Sequence, residues 1–108
     1  MRQLIQLKEL IDTLDNLSWD LTIYTKGRVL SRLDESVLIL DDDAEFERDE
    51  EDEPLYATEN GFRYFLDVSS VQDIRDNLQA QNPNYSVDDL LAAIKYFVNN
   101  DAYVCLNS

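Results

Sequence analysis

The stretch VLILDDDAEFERDEEDEPLYATENGFRYFLDV, at residues 37–68, determines how we interpret the fold. Its first four residues, 37–40, form a short continuous apolar run, which predicts a buried strand. Residues 41–53 hold ten acids and one base and show no apolar periodicity, which is typical of a loop. The predicted strand therefore leads directly into an acidic loop at 41–53. This loop carries a net charge of −9, out of −14 for the whole chain.

A helix and a second strand are predicted after the acidic loop. Pro54 suits the first turn of a short helix, which we place at 55–60 with Gly61 as its stop signal. The run at 62–68 is rich in aromatic and β-branched residues, which predicts a strand.

Before this stretch, the chain shows one helical and one strand pattern. Leu4, Leu7, Ile11 and Leu14 lie at helical spacing and predict an amphipathic first helix. Apolar and polar residues alternate over 21–25, which predicts a strand. A turn at Lys26-Gly27 and a paired strand at 28–33 are expected to follow.

After this stretch, two start signals predict two further helices. Ser70 with Asp73, and Ser86 with Asp89, have the spacing of a capping box. We expect the first helix to extend through Gln81 and a final strand at 102–106. Helices and strands without regular βαβ alternation favour an α+β fold. We predict one domain over residues 1–108, with a small, mostly antiparallel sheet packed with about four helices.

Composition indicates a cytoplasmic protein with a basic partner. No apolar run is long enough to cross a bilayer, the first residues do not resemble a signal peptide, and the single cysteine, Cys105, fits a reducing compartment. The net charge of −14 repels nucleic acid and anionic membranes and speeds encounter with basic partners. We therefore expect no direct nucleic-acid binding and no membrane association.

The residue types needed for catalysis are scarce, and we expect no enzymatic activity. The chain has no histidine and only two glycines, which removes the commonest general base and any phosphate-binding glycine loop. Cys105 lies in an apolar stretch with no neighbouring base, so we interpret it as a structural thiol. No cofactor is predicted.

Six acids of the loop have the spacing of an EF-hand: Asp41, Asp43, Glu45, Glu47, Asp49 and Asp52. The sixth position of that motif requires glycine for a sharp turn, and here it is Phe46. We therefore predict no dedicated metal site. A calcium-responsive protein is our third functional hypothesis, ranked behind two in which the acidic surface binds a partner.

The acidic loop is our candidate partner-binding site. Its alternative interpretation is a solvated charge run that serves solubility alone. The loop contains Phe46 and is followed by Leu55 and Tyr56, which are aromatic and apolar groups suited to anchor an interface. Its closely spaced carboxylates resemble a phosphate backbone. We expect Trp19 and the pair Tyr64-Phe65 to lie in the core instead. The predicted partner-binding residues are Asp41, Asp42, Asp43, Glu45, Phe46, Glu47, Asp49, Glu50, Glu51, Asp52, Glu53 and Tyr56.

Several motifs resemble a family of small uncharacterised bacterial proteins. These are LIDTLDNLSWD at 10–20, VLILDDD at 37–43 followed by acids and a proline, GFRYFL at 61–66 and VQDI at 71–74. In size, acidity and lack of catalytic residues, the chain also resembles the immunity proteins of contact-dependent growth inhibition systems.

The second resemblance implies a function. Such immunity proteins bind the toxic domain of a cognate secreted toxin, frequently a nuclease that acts on transfer RNA. We therefore expect an immunity protein that neutralises a basic nuclease toxin by blocking its active site, acting as a monomer in the complex. The alternative is an acidic intracellular adaptor, or a nucleic-acid mimic that regulates another enzyme.

Overall fold

The computed structural model describes residues 2–26 and 34–104, and only the backbone of Asp42. Within these ranges the chain forms the strands β1 (Arg2–Gln6), β2 (Thr22–Thr25), β3 (Ser36–Leu40) and β4 (Arg63–Asp67). It also forms the helices α1 (Leu7–Asp12), α2 (Leu55–Glu59), α3 (Val68–Gln81) and α4 (Val87–Asn100), with 3-10 turns at Leu14–Asn16 and Asp42–Ala44. The predicted α+β fold is confirmed.

The strands form an antiparallel sheet in the order β1-β3-β2-β4. In this sheet Leu40 of β3 lies opposite both Arg2 of β1 and Thr22 of β2. Thr22 also lies opposite Asp67 of β4. The first residues of β1 and β2 and the last residues of β3 and β4 therefore lie at one end of the sheet. We call it the acidic end, because the acidic segment (residues 41–53) leaves β3 there.

Both faces of the sheet are covered, which explains why all of 37–40 is apolar. Val37 and Ile39 belong to the main core, which the sheet forms with α1, α3 and α4. Neighbouring side chains of a strand point to opposite faces, so a strand covered on both sides needs apolar residues throughout. Leu38 and Leu40 point to the second face, where they form a smaller cluster with Tyr24, Ala57 and Phe62.

The predicted first helix is wrong over its first part. Residues 2–6 form β1, and α1 begins only at Leu7. Leu4 belongs to the predicted apolar stripe but is 62% exposed, whereas Ile5 lies outside that stripe and is buried. Backbone pairing with β3 favours the strand here, and a tertiary interaction of this kind overrides a short local periodicity.

The central predictions are confirmed. The alternating segment at 21–25 contains β2, the apolar run at 37–40 belongs to β3, and the run at 62–68 contains β4. The short helix α2 follows Pro54 as predicted. Gly61 lies just beyond it with φ of 80°, a left-handed conformation that glycine adopts without steric cost.

The two long helices begin differently. The predicted capping box of Ser70 is wrong, because α3 begins at Val68, directly after β4, with Asp67 as its N-cap residue. The capping box that starts α4 is confirmed. The Ser86 hydroxyl accepts a hydrogen bond from the Asp89 N–H at 3.1 Å, and the Asp89 carboxylate accepts one from the Ser86 N–H at 2.9 Å.

The predicted final strand is wrong for its described part, because residues 102–104 follow α4 in irregular conformation. The predicted strand at 28–33, Gly27 of the predicted turn and Cys105 lie outside the described residues. None of the described helices is both long and apolar enough to cross a membrane.

Candidate partner-binding surface

The acidic segment is held by hydrogen bonds of its own backbone. After β3, the N–H of Ala44 donates to the carbonyl oxygen of Asp41 at 3.0 Å. Further along, Arg48 and Pro54 form an isolated antiparallel bridge, and the N–H of Leu55 donates to the Glu47 carbonyl oxygen at 2.8 Å. The segment therefore turns back on itself and leads directly into α2.

One acid of the segment serves this turn. The Asp49 carboxylate accepts hydrogen bonds from the N–H groups of Glu51 and Glu53, each at 2.9 Å, and from the Thr58 hydroxyl at 2.8 Å. These donors lower the pKa of Asp49, the Glu53 N–H most and the Thr58 hydroxyl next. Asp49 thus stabilises the turn and joins it to α2.

A second acid, Glu45, anchors the segment to the sheet. Its carboxylate is buried and accepts two hydrogen bonds from the guanidinium of Arg2, at 3.1 and 3.2 Å. The guanidinium also lies over the ring of Tyr56, 4.1 Å from its centroid. The hydrogen bonds to Glu45 raise the pKa of Arg2. The chain thereby connects β1, the acidic segment and α2 through one cation.

Between these two anchors, the segment presents an aromatic ring to solvent. Phe46 is 88% exposed, directly after the buried Glu45. It borders a cleft of about 390 Å³ that is also lined by Glu47, Leu55 and Glu59. An exposed ring beside carboxylates on a braced loop is suited to contact a protein surface that is both apolar and basic.

The structure thus divides the predicted partner-binding residues by environment. Glu45 is buried, and Asp41, Asp49, Glu53 and Tyr56 are partly buried. The residues directed to solvent are Asp43, Phe46, Glu47, Glu50, Glu51 and Asp52.

A second exposed aromatic residue lies at the acidic end of the sheet, and the predicted burial of this residue is wrong. Trp19, predicted in the core, is 70% exposed. It lines a cleft of about 350 Å³ together with Asp20, Asp43 and Asp67. Strand pairing brings these acids together, since Asp20 precedes β2 and Asp67 ends β4. The sequence gives only one signal for this cleft, namely that Trp19 stands between Ser18 and Asp20 in a polar connection.

The pair Tyr64-Phe65 differs from its predicted burial in one member. Phe65 packs against the main core, but Tyr64 is 51% exposed. Its ring meets the buried ring of Tyr24 edge to face, with centroids 6.3 Å apart.

The EF-hand spacing does not bring its acids together. Glu45 is committed to Arg2, and Asp49 to the N–H groups of its own turn. Over residues 2–26 and 34–104, no group of three or more histidine, cysteine or acidic residues is arranged to hold a metal ion.

The fold and this surface define a small α+β protein with an acidic, aromatic face. The chain belongs to the family described as a domain of unknown function (DUF7716), whose model matches residues 4–106. No curated protein and no solved structure matches the chain.

Proposed function

We propose that the protein is a cytoplasmic immunity protein that binds a cognate basic nuclease toxin and blocks its active site. The observation that supports this most directly is Phe46, which is 88% exposed directly before the exposed Glu47, on a loop that Glu45 and Asp49 brace. A flexible solubility tail would have no need of such bracing.

The charge of the surface suits this partner. A nuclease binds the phosphate backbone of its substrate with a basic groove, and closely spaced carboxylates fit the same groove. Since the chain carries a net charge of −14, it also attracts a basic protein over a distance. Charge complementarity of this kind raises association rates more than it raises affinity.

The exposed rings contribute to affinity, whereas charge acts mainly on the association rate. Desolvated aromatic residues near the centre of an interface are frequent hot spots, and their truncation typically costs about 2 kcal/mol or more. Phe46 and Trp19 are the most exposed aromatic side chains of the described chain, and both lie beside acidic clefts. We assign the anchoring role to Phe46 and a supporting role to Trp19.

The first test is co-expression with the protein encoded immediately upstream. We expect that protein to arrest growth when expressed alone, and this chain to restore growth and to co-purify with it. If the upstream protein is harmless and does not bind, the immunity proposal is wrong. A pull-down at low salt would then identify the partner of an adaptor.

A charge-matched pair of variants tests the surface. The triple variant Glu47→Gln, Glu50→Gln, Glu51→Gln removes three exposed acids of the segment. The control Asp73→Asn, Asp88→Asn, Asp101→Asn removes three exposed acids from α3 and from both ends of α4.

We expect the segment variant to lower the association rate of the toxin complex about tenfold at low salt and to flatten its salt dependence, because exposed interface charges act mainly on association. The control should change both quantities far less. Equal effects of the two variants would mean that net charge matters and the segment does not.

A further inference from the structure

The outer side of β1 is open in the part of the chain that the structure describes. The sheet order places β1 at an edge, and β3 is the described strand with which it pairs. Natural edge strands are usually blocked by a bulge, a proline or an outward charge. The ladder of β1 is regular and contains no proline, and its one charged residue, Arg2, is turned to Glu45.

Backbone hydrogen-bonding groups of β1 point outward. The N–H of Leu7 donates to the carbonyl oxygen of Glu35 at 2.8 Å, which identifies that position as a hydrogen-bonded pair. Such pairs alternate along an antiparallel ladder, so Ile5 also faces β3. The N–H and C=O of Leu4 and the N–H of Gln6 therefore point away from the sheet.

An exposed apolar side chain marks the middle of this edge. Leu4 is paired with Leu38, so both side chains lie on the second face of the sheet. Leu38 is buried beneath α2, but Leu4 is 62% exposed. An apolar side chain is therefore exposed at this edge of the sheet, next to a residue of the smaller cluster.

Both ends of the edge carry an excess of negative charge. Beside Arg2, the cleft next to Phe46 includes Glu47 and Glu59, while Glu45 offsets the charge of Arg2 itself. Beside Gln6, a cleft of about 500 Å³ is lined by Glu9, Asp12 and Lys8. When each cation is matched with one carboxylate, two carboxylates remain at the Arg2 end of the edge and one remains at the Gln6 end.

We propose that β1 accepts an extended segment of the basic partner as an additional strand, with basic residues on either side of an apolar one at alternating positions. Strand addition of this kind obtains affinity from backbone hydrogen bonds and specificity from alternate side chains. Residues at i, i+2 and i+4 share a face and span about 14 Å. In the bound segment, three such side chains would contact the cleft at Glu47, the side chain of Leu4 and the cleft at Asp12, in that order.

The charge at both ends of the edge disfavours a second copy of this chain as the occupant. Antiparallel pairing of two β1 strands would place the Glu47 end of one copy beside the Asp12 end of the other. Like charges placed opposite each other destabilise a strand pair. The inference deepens the proposed function and rests on it for the identity of the partner, since the edge itself specifies only an extended basic segment.

Two synthetic peptides with blocked ends test the pattern on the isolated full-length chain. The first, Gly-Arg-Thr-Val-Thr-Arg-Gly, has arginines on the same face as its valine. The second, Gly-Thr-Arg-Val-Arg-Thr-Gly, has the same composition and charge but places its arginines on the opposite face from its valine. Backbone amide shifts in NMR titrations report both the site and the affinity of binding.

We expect the first peptide to perturb the amides of Leu4 and Gln6 and to bind about threefold to fivefold tighter than the second, as the value of matched cross-strand pairs implies. Leu4→Lys should weaken the first peptide by a similar factor. Val98→Lys, at an exposed position of α4, serves as the control and should leave binding unchanged.

Equal affinity for the two peptides, or shifts confined to the acidic segment, would overturn the inference. A dimer in sedimentation experiments that Leu4→Lys abolishes would also overturn it, because the occupant would then be a second copy. If the Leu4→Lys variant rescued growth at the wild-type level, binding at the β1 edge would not be required for immunity. The peptide result does not depend on the toxin, so the two proposals can fail independently.

Discussion

Two phenylalanines on the same side of the sheet offer the sharpest test of the structure. Phe62 is 4% exposed and belongs to the smaller cluster, whereas Phe46 is 88% exposed. The same substitution, Phe→Ala, should therefore have opposite consequences at the two positions. At Phe62 it should destabilise the protein, and at Phe46 it should weaken binding alone.

The magnitude at Phe62 follows from its burial. Truncation of a buried phenylalanine to alanine typically costs about 3–5 kcal/mol in the free energy of unfolding. We expect about 3 kcal/mol, since the cluster beneath α2 is small and its cover can relax. For a chain of 108 residues, an unfolding entropy of about 2.1 cal/mol/K per residue converts this to a fall in Tm of about 13 °C.

Phe46→Ala should leave Tm within about 2 °C of the wild type, because exposed substitutions usually change stability by less than about 0.5 kcal/mol. It should reduce toxin affinity about thirtyfold, as expected for an interface hot spot. Thermal melts by circular dichroism and binding by calorimetry measure both quantities on the same samples.

Either of two results would refute the reasoning. If Phe62→Ala melts within about 3 °C of the wild type, the second face of the sheet is not a packed core. If Phe46→Ala lowers Tm as much as Phe62→Ala does, the ring of Phe46 is buried in solution and cannot be the anchor.

Three further predictions address the capping box, the Asp49 turn and the acidic end. Ser86→Ala should lower the free energy of unfolding by about 1 kcal/mol, measured by urea denaturation, because the Asp89 N–H loses its acceptor. Because the folded-state pKa of Asp49 is lowered, its stabilising effect is present above its unfolded pKa of about 3.9 and is lost as the pH falls through the folded value. Asp49→Asn should therefore show a weaker loss of Tm than the wild type when both are acidified below about pH 4, and parallel curves would contradict this. Trp19→Ala should leave Tm within about 2 °C, since the ring is 70% exposed; a large fall would mean that it packs in the core.

The candidate site shows which features of a binding surface residue patterns can predict and which they cannot. The acidic segment is evident from composition, and its exposed members include Phe46 and Glu47, both predicted. Composition could not separate Glu45 from its neighbours, because its burial depends on Arg2, which lies 43 residues away in sequence. The cleft at Trp19 also cannot be predicted from composition, because its acids are distant in sequence and lie at the ends of different strands.

The sequence alone is sufficient for the α+β class, for most elements after residue 20, and for the location of the negative charge. These properties depend on local patterns: alternation over 21–25, the apolar run at 37–40, and the Ser86 capping box. Tertiary structure alone decides that residues 2–6 form an edge strand, that Trp19 is exposed, and which acids turn inward. Each of these depends on strand pairing or on a partner distant in sequence, and the free energy of such contacts is absent from any local window.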